Sequence, residues 1–280
     1  MVIFNISNSD NILVQIQDCI KSINDIDLEI ENTKQCIVDL SGLTWLLPCS
    51  ILILGNKINE LFQNNIKISI VPPSDDKVRQ HLEKLGFPLG GALKGDTYYP
   101  ITYFTAYDDI NKTVNDLIDH LKKQIHSNFG SGVTYLLSEL SDNIDIHSNF
   151  SHAAVMAQYF PKKNKLDLSI IDNGISVPHN FEKHGIKFSD DCDAIKKAMS
   201  GTSTKKEADR GFGLSSSKRI ILEGLNGEMF VFSRNGAISI GQETDFCEIQ
   251  KDAVKGTLIN MRFKAPKEPL DINNYTYLTM

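Results

Sequence analysis

The sequence predicts an α/β protein built in two parts. Short apolar segments alternate with amphipathic helical segments through residues 1–86, which is the pattern of a compact α/β layer. A glycine-rich stretch follows at residues 89–95, and a second α/β region begins near residue 97. The chain of 280 residues is long enough for two domains that each bury a core. We therefore predict one domain at residues 1–92 and a second at residues 96–280.

Proline and glycine mark the ends of several elements in the first part. Pro48 fits the first turn of a helix because its missing N–H would have no partner there. Asp75 or Asp76 can cap the short helix that Gly86 closes. Strands and helices alternate in the predicted order, at residues 2–6, 11–23, 35–40, 48–63, 66–71 and 76–85.

The second part is organised around an amphipathic helix at residues 133–148. Glu139, Asn143 and His147 form a polar stripe along one edge of its apolar face, four residues apart. Asp142 points away from the core. Many amphipathic helices carry such polar residues without a function, but these three side chains could all point at one ligand. The apolar face consists of Val133, Leu136, Leu137, Leu140 and Ile144.

Three further blocks follow this helix. Residues 166–175 predict a strand that ends in Asp172, Asn173 and Gly174, residues 210–217 form a glycine turn that opens a helix, and residues 255–263 form a turn into a final strand. A strand at 97–105 and a helix at 110–125 precede them all.

In this order, the helix and the three blocks resemble the N, G1, G2 and G3 boxes of the GHKL superfamily. Its members include gyrase-type and Hsp90-type ATPases, histidine kinases and anti-sigma serine kinases. The resemblance covers about residues 98–265. It implies a Bergerat-type α/β sandwich, a mixed sheet with helices on one face, which binds ATP and Mg²⁺.

The resemblance also implies roles for the polar stripe. Asn143 is the expected magnesium ligand, since Mg²⁺ takes one or two protein oxygens besides phosphate and water. Glu139 is the candidate catalytic base; histidine kinases commonly have asparagine there, whereas gyrase-like ATPases and anti-sigma kinases have glutamate. His147 could reach ribose or phosphate oxygens, or could have a structural partner.

The G1 and G3 boxes supply the expected adenine site. The carboxylate of Asp172 can accept a hydrogen bond from the adenine amino group. Gly174 lets the backbone come close to the ring, and Thr257 closes the pocket. Ser176 stands where the family has a second glycine, so the role of that glycine is not transferred.

The G2 box supplies the expected phosphate site, where the start of a helix offers free N–H groups. A Rossmann site does not fit, because no strand immediately precedes this turn and Ser216 occupies the third glycine position. Residues 201–205, which precede this turn, are similar to the lid sequence of histidine-kinase catalytic domains. They could equally be a solvated loop. The expected phosphate contacts are Ser203, Thr204, Lys205, Arg210, Gly211, Phe212, Gly213 and Leu214.

Residues 38–46, which lead into the helix that begins at Pro48, look like part of a STAS domain, the fold of anti-sigma factor antagonists. Cys49 stands where those antagonists have the serine that accepts phosphate, and Ser50 is adjacent. Phosphorylation is therefore in doubt, and we expect this domain to serve docking or dimerisation.

Composition and charge exclude several classes of protein. A net charge of −6 gives no support for broad nucleic-acid binding. No apolar run approaches the roughly 18 residues of a membrane span, and the N-terminal residues lack signal-peptide features. Five cysteines without a paired spacing predict reduced thiols in a cytoplasmic protein: Cys19, Cys36, Cys49, Cys192 and Cys247.

The predicted function is Mg-dependent ATP binding with slow γ-phosphoryl transfer to water or to a protein serine or threonine. None of the seven histidines lies in a His-Glu/Asp-x-x-x-Pro context, so histidine-kinase activity is not expected. The alternative is a nucleotide-gated switch without catalysis, and a third possibility is a remnant that no longer binds nucleotide. The expected partner is a sigma factor, an antagonist-like protein or another signalling protein, with homodimerisation possible.

Overall fold

The computed structural model describes residues 1–3, 6, 9, 11–105, 110–125, 130–144, 148–202, 204, 213–241 and 246–276. The first part contains β1 (Val2–Ile3), α1 (Ile12–Thr33), β2 (Gln35–Asp39), α2 (Pro48–Gln63), β3 (Lys67–Val71) and α3 (Asp76–Lys84). The second part begins with β4 (Tyr98–Thr105), α4 (Ile110–His120), α5 (Gly130–Asn143), β5 (His152–Phe160) and β6 (Lys165–Asp172). It continues with α6 (Val177–Lys183), α7 (Asp191–Met199), α8 (Gly213–Arg219), β7 (Glu228–Ile240), β8 (Phe246–Lys264) and α9 (Asn273–Thr276).

The strands form two sheets. β1, β2 and β3 make a small parallel sheet in that order. The large sheet has the order β4-β5-β6-β8-β7, and its neighbouring strands are antiparallel. Short π-helical turns extend α4 and α8, at Leu121–Ile125 and Ile220–Gly224. The predicted α/β class, with a helix-covered sandwich in the second part, is confirmed, but the large sheet is antiparallel where a mixed sheet was predicted.

Helices cover both faces of the large sheet. Alternate strand residues face opposite sides, so Met229 and Val231 pack towards α4, α5 and α7, whereas Phe230 and Phe232 face away from them. The second face is covered by α1 and α2 of the first part of the same chain. The two parts therefore share one apolar core across this face.

The helix predicted at residues 11–23 is longer in the structure. α1 continues to Thr33, because Ile26 extends the buried stripe and no proline or glycine interrupts the segment. Lys34, in the left-handed region at φ 59°, ends the helix with its N–H donated to the Ile30 carbonyl. β5, β7, α6 and α7 were not predicted.

A disulfide joins Cys192 on α7 to Cys247 on β8, whose Cα atoms are 6.0 Å apart. The prediction that all five cysteines are reduced is therefore wrong. The two cysteines are 55 residues apart, and only the fold brings them together. The disulfide removes the support that the cysteines lent to a cytoplasmic location. Among the described residues, no helix has the length and apolar character that a membrane span requires.

Cys49 lies in the core that the two parts share. Its side chain is 1% exposed, and the ion pair of Asp167 and Arg262 on the large sheet lies nearby. Burial raises the pKa of the Cys49 thiol to about 12. Ser50 is also fully buried. Neither side chain is accessible to a kinase in this fold.

Candidate nucleotide site

Asp172 is a buried carboxylate at the end of β6. It is 4% exposed, and its Oδ1 accepts a hydrogen bond of 2.8 Å from the N–H of Gly174. The main-chain N–H of Thr257, on the neighbouring strand, lowers the pKa of this carboxylate. Burial raises the pKa of Asp172 to about 7, against the lowering effect of these two N–H groups. No charged side chain in the described part of the chain pairs with Asp172; such an acid is unusual in a core, and it marks a candidate binding site.

Two glycines allow the backbone to pack tightly around this carboxylate. A β-carbon on Gly174 would lie 2.1 Å from the Ser148 carbonyl oxygen, and one on Gly256 would lie 2.0 Å from the Asp172 carbonyl oxygen. Gly256 also has φ +81°, which side-chain-bearing residues rarely adopt. The close approach at Gly174 is thus made to the protein backbone, whereas the sequence interpretation assigned it to the nucleotide base.

Thr257 stands opposite Asp172 in the β6–β8 ladder. Its Oγ1 is 2.9 Å from the hydroxyl oxygen of Ser233, which in turn accepts a hydrogen bond of 2.9 Å from the N–H of Val177. Ser233 is fully buried on β7. The hydroxyl of Thr257 is therefore held in place beside the carboxylate by a residue that sequence reasoning missed.

Asn173 and Ser176 hold the loop that follows β6. The Asn173 side-chain oxygen accepts hydrogen bonds from the N–H groups of Ser151 and His152, at 3.0 and 3.1 Å. Ser176 has φ −68°, and its hydroxyl caps α6 by accepting from the N–H of His179. This backbone does not require glycine, which explains how the chain departs from the family pattern at Ser176.

The polar stripe of α5 lies where helical spacing predicts. Glu139 and Asn143 are half-buried at the edge of the core, and Asp142 is exposed. The next turn is tied to the Asp172 loop, because the Ser148 hydroxyl donates to the Ile144 carbonyl at 2.7 Å. The Ser148 carbonyl then accepts from the N–H of Ile175. The end of α5 and the end of β6 therefore meet.

The start of α8 packs against α5. Gly213 is its first residue, and the Leu214 side chain is half-buried. The hydroxyl of Thr204 accepts a hydrogen bond of 3.3 Å from the Asn180 side-chain amide, which connects that position to α6. The other residues predicted for this region lie outside the described residues: His147, Ser203, Lys205, Arg210, Gly211 and Phe212.

The donor chemistry of α5 is compatible with magnesium. No group of three or more His, Cys, Asp or Glu side chains that could hold a metal ion occurs in the described part of the chain. A magnesium ion bound with a nucleotide needs only one or two protein oxygens, because phosphates and water complete its shell. The half-buried carboxamide of Asn143 can supply one such oxygen.

Sequence reasoning missed the residues that support the site from neighbouring elements. Asn173 lies in the block at residues 166–175 and Gly256 in the block at residues 255–263. Both are turn-forming residue types, which could have indicated their role in the sequence. Ser148 and Ser233 gave no such signal, since only the strand register and the helix end bring them to Asp172.

Comparison with known proteins gives one result for the second part of the chain. Residues 130–266 match the family model described as histidine kinase-, DNA gyrase B-, and HSP90-like ATPase. The match begins at α5, ends just after β8 and contains Asp172 and Thr257. A search of the curated proteins found no match.

Proposed function

We propose that residues 130–266, which match the GHKL-type ATPase family model, form an ATP-binding domain, and that the protein binds ATP with Mg²⁺ and slowly transfers the γ-phosphoryl group. The acceptor is water or a serine or threonine of a protein partner. The observation that carries the proposal is the buried carboxylate of Asp172 at the end of β6, which accepts a hydrogen bond from the N–H of Gly174.

Asp172 is the proposed reader of the base. Its carboxylate accepts from the adenine amino group, whereas guanine would present a carbonyl oxygen to it, so two acceptors would face each other. Thr257 lies beside this carboxylate and closes the pocket. Gly174 gives the loop its close packing.

The phosphates are assigned to the start of α8. Free N–H groups near Gly213 and Leu214 would hold them, with further contacts from the lid and turn. These further residues are Ser203, Thr204, Lys205, Arg210, Gly211 and Phe212. His147 is assigned to ribose or phosphate oxygens.

Glu139 is the proposed base, which orients and deprotonates the attacking hydroxyl. Asn143 is the proposed protein ligand of magnesium. When bound, the ion would neutralise phosphate charge. The proposed partner is a signalling protein, such as a sigma factor or an antagonist-like protein. The first part of the chain is proposed to be a STAS-like domain.

The test is ATP turnover in wild type, Glu139→Ala and Asp142→Ala. Glu139→Ala should lower turnover by a factor of about 10² or more, with the ATP Kd within about two-fold of wild type. Asp142→Ala is the matched control, because it removes an exposed carboxylate from the same helix without affecting the rim. Equal turnover in wild type and Glu139→Ala would refute the assignment of Glu139.

A second candidate is a nucleotide-gated switch without turnover. It is favoured by the contact between the site and α2, where Lys255 lies 3.7 Å from Glu60. The His152 Nδ1 is hydrogen-bonded to the Asn173 side-chain amide at 2.8 Å, and the charge of Glu60 acts to raise the pKa of His152. A change at Asp172 could therefore reach the first part of the chain. Wild-type protein that binds ATP but never hydrolyses or transfers it would favour this candidate.

A further inference from the structure

Ser233, Thr257 and Asp172 form one row across three neighbouring strands. Ser233 on β7 stands directly opposite Thr257 on β8, and Thr257 stands directly opposite Asp172 on β6. Residues paired in this way on antiparallel strands carry their side chains on the same face of the sheet. The Thr257 hydroxyl therefore lies between the buried carboxylate of Asp172 and the fully buried hydroxyl of Ser233.

The Ser233 hydroxyl is fixed by hydrogen bonds to three other groups. It accepts from the N–H of Val177, at the start of α6, and its oxygen lies 2.9 Å from the Thr257 Oγ1. The Gly256 carbonyl lies 3.3 Å from the same hydroxyl. A serine hydroxyl carries a single hydrogen, so the Gly256 carbonyl and the Thr257 oxygen compete for it. Donation to Thr257, at the shorter distance, leaves the Thr257 hydroxyl free to donate to a further acceptor.

We propose that Ser233 is a positioning residue that donates to the Thr257 hydroxyl and thereby makes this hydroxyl a donor to a ring nitrogen of the purine. This inference rests on the proposed function, in which Asp172 accepts from the adenine amino group. The two ring nitrogens that flank this amino group, N1 and N7, carry no hydrogen and can only accept. The donors then run in one direction, from the Val177 N–H through Ser233 and Thr257 to the base, and each bond strengthens the next.

The first test measures the affinity for Mg-ATP in wild type and Ser233→Ala by calorimetric titration. Ser233→Ala should weaken binding about three- to ten-fold, because the hydrogen bond from Thr257 to the base loses its support. Ser233→Thr keeps the hydroxyl and should restore the affinity. In the Thr257→Val background, which lacks the hydroxyl that contacts the base, Ser233→Ala should have no further effect.

Analogues of ATP in which carbon replaces one ring nitrogen distinguish positioning of Thr257 from a merely structural role. 1-deaza-ATP lacks N1 and 7-deaza-ATP lacks N7, so one of the two lacks the acceptor of the Thr257 hydroxyl. Wild type should bind that analogue about three- to ten-fold more weakly than ATP, and Ser233→Ala should bind it as tightly as wild type does. Ser233→Cys, which keeps a weaker donor, should discriminate to an intermediate degree.

Two results with the analogues would overturn the role of Ser233. One is that wild type binds both analogues as tightly as ATP, since Thr257 would then donate to neither ring nitrogen. The other is that Ser233→Ala loses affinity for ATP and for both analogues by the same factor, since the serine would then support only the fold of the pocket.

The matched control is Ser169→Ala, which removes another fully buried hydroxyl from the same sheet. Ser169 lies on the opposite face, where its oxygen accepts from the Asn260 side-chain amide at 2.8 Å. The ATP affinity of Ser169→Ala should equal that of wild type. Equal ATP affinity in wild type and Ser233→Ala would overturn the role of Ser233 while leaving the proposed function intact. Absence of ATP binding to wild type would overturn both.

Discussion

Gly256 lies against the main chain of Asp172: a β-carbon at Gly256 would come within 2.0 Å of the Asp172 carbonyl oxygen. The G3 turn and the end of β6 are therefore built as one unit. The backbone of this turn sets the position of Thr257, which stands opposite Asp172 in the β6–β8 ladder.

Gly256→Ala should destabilise the fold by at least about 2 kcal/mol, because the new methyl group meets backbone and the residue has φ +81°. Urea unfolding measures the loss. Gly42→Ala is the matched control, since a β-carbon there has no heavy atom within 4 Å, and its stability should stay within about 0.5 kcal/mol of wild type. Equal stability of the two variants would contradict the tight packing at Gly256.

The stability of the nucleotide-free protein should depend on Asp172 between about pH 4 and pH 7. Burial raises the pKa of Asp172 to about 7, whereas an unfolded aspartate has a pKa of about 3.9. In this interval the folded state binds more protons than the unfolded state. The contribution of Asp172 to the free energy of unfolding therefore decreases as pH rises. Its upper limit is about 4 kcal/mol.

Urea unfolding of wild type and Asp172→Asn at pH 5 and pH 8 measures this effect. Between pH 5 and pH 8, the free energy of unfolding should decrease by more in wild type than in Asp172→Asn. An identical pH dependence in both proteins would show that Asp172 is not a buried acid with a raised pKa.

ATP binding should release protons near pH 7. Asp172 is about half protonated there, and a hydrogen bond from the adenine amino group favours its ionised form. ATP affinity should therefore increase from pH 6 to pH 8. Calorimetric titrations in two buffers of different ionisation enthalpy measure the number of protons released, up to about one half per ATP. Proton uptake, or the same release by Asp172→Asn, would exclude this assignment.

The helical spacing of residues 133–144 was sufficient to predict the rim positions of Glu139 and Asn143. β5 was missed because its first six residues are all buried, so the sequence shows no alternation to read. The packing of α2 on the large sheet had a signal that was not used. Residues 48–55, the first half of this helix, are apolar on nearly every side, which is typical of a buried helix.

The contacts that support the site were beyond sequence reasoning for a physical reason. Ser148 meets Gly174, and Asp172 meets Gly256, only after the helices and strands have packed. Residue type gives no sign of such a pairing. Family resemblance located the boxes, whereas the packing around them follows from strand register and helix contacts.

The disulfide between Cys192 and Cys247 should stabilise the fold by about 2–4 kcal/mol, because it closes a long loop in the unfolded chain. Cys247→Ser should lose this stability, and a reducing agent should destabilise wild type but not the variant. The measurement is urea unfolding with and without reductant. Alkylation of unreduced, unfolded protein should modify three thiols, and modification of all five would contradict the disulfide.

The central claim, that Asp172 reads the adenine of a bound ATP, is tested most directly by calorimetric titration of Mg-ATP into wild type, Asp172→Asn and Asp167→Asn. Asp167 is the control, since it is a buried aspartate of the same strand that pairs with Arg262. We predict one ATP bound per wild-type chain, an affinity about 10- to 100-fold lower in Asp172→Asn, and wild-type affinity in folded Asp167→Asn. Equal ATP affinity in wild type and Asp172→Asn, or no binding to wild type, would contradict the claim.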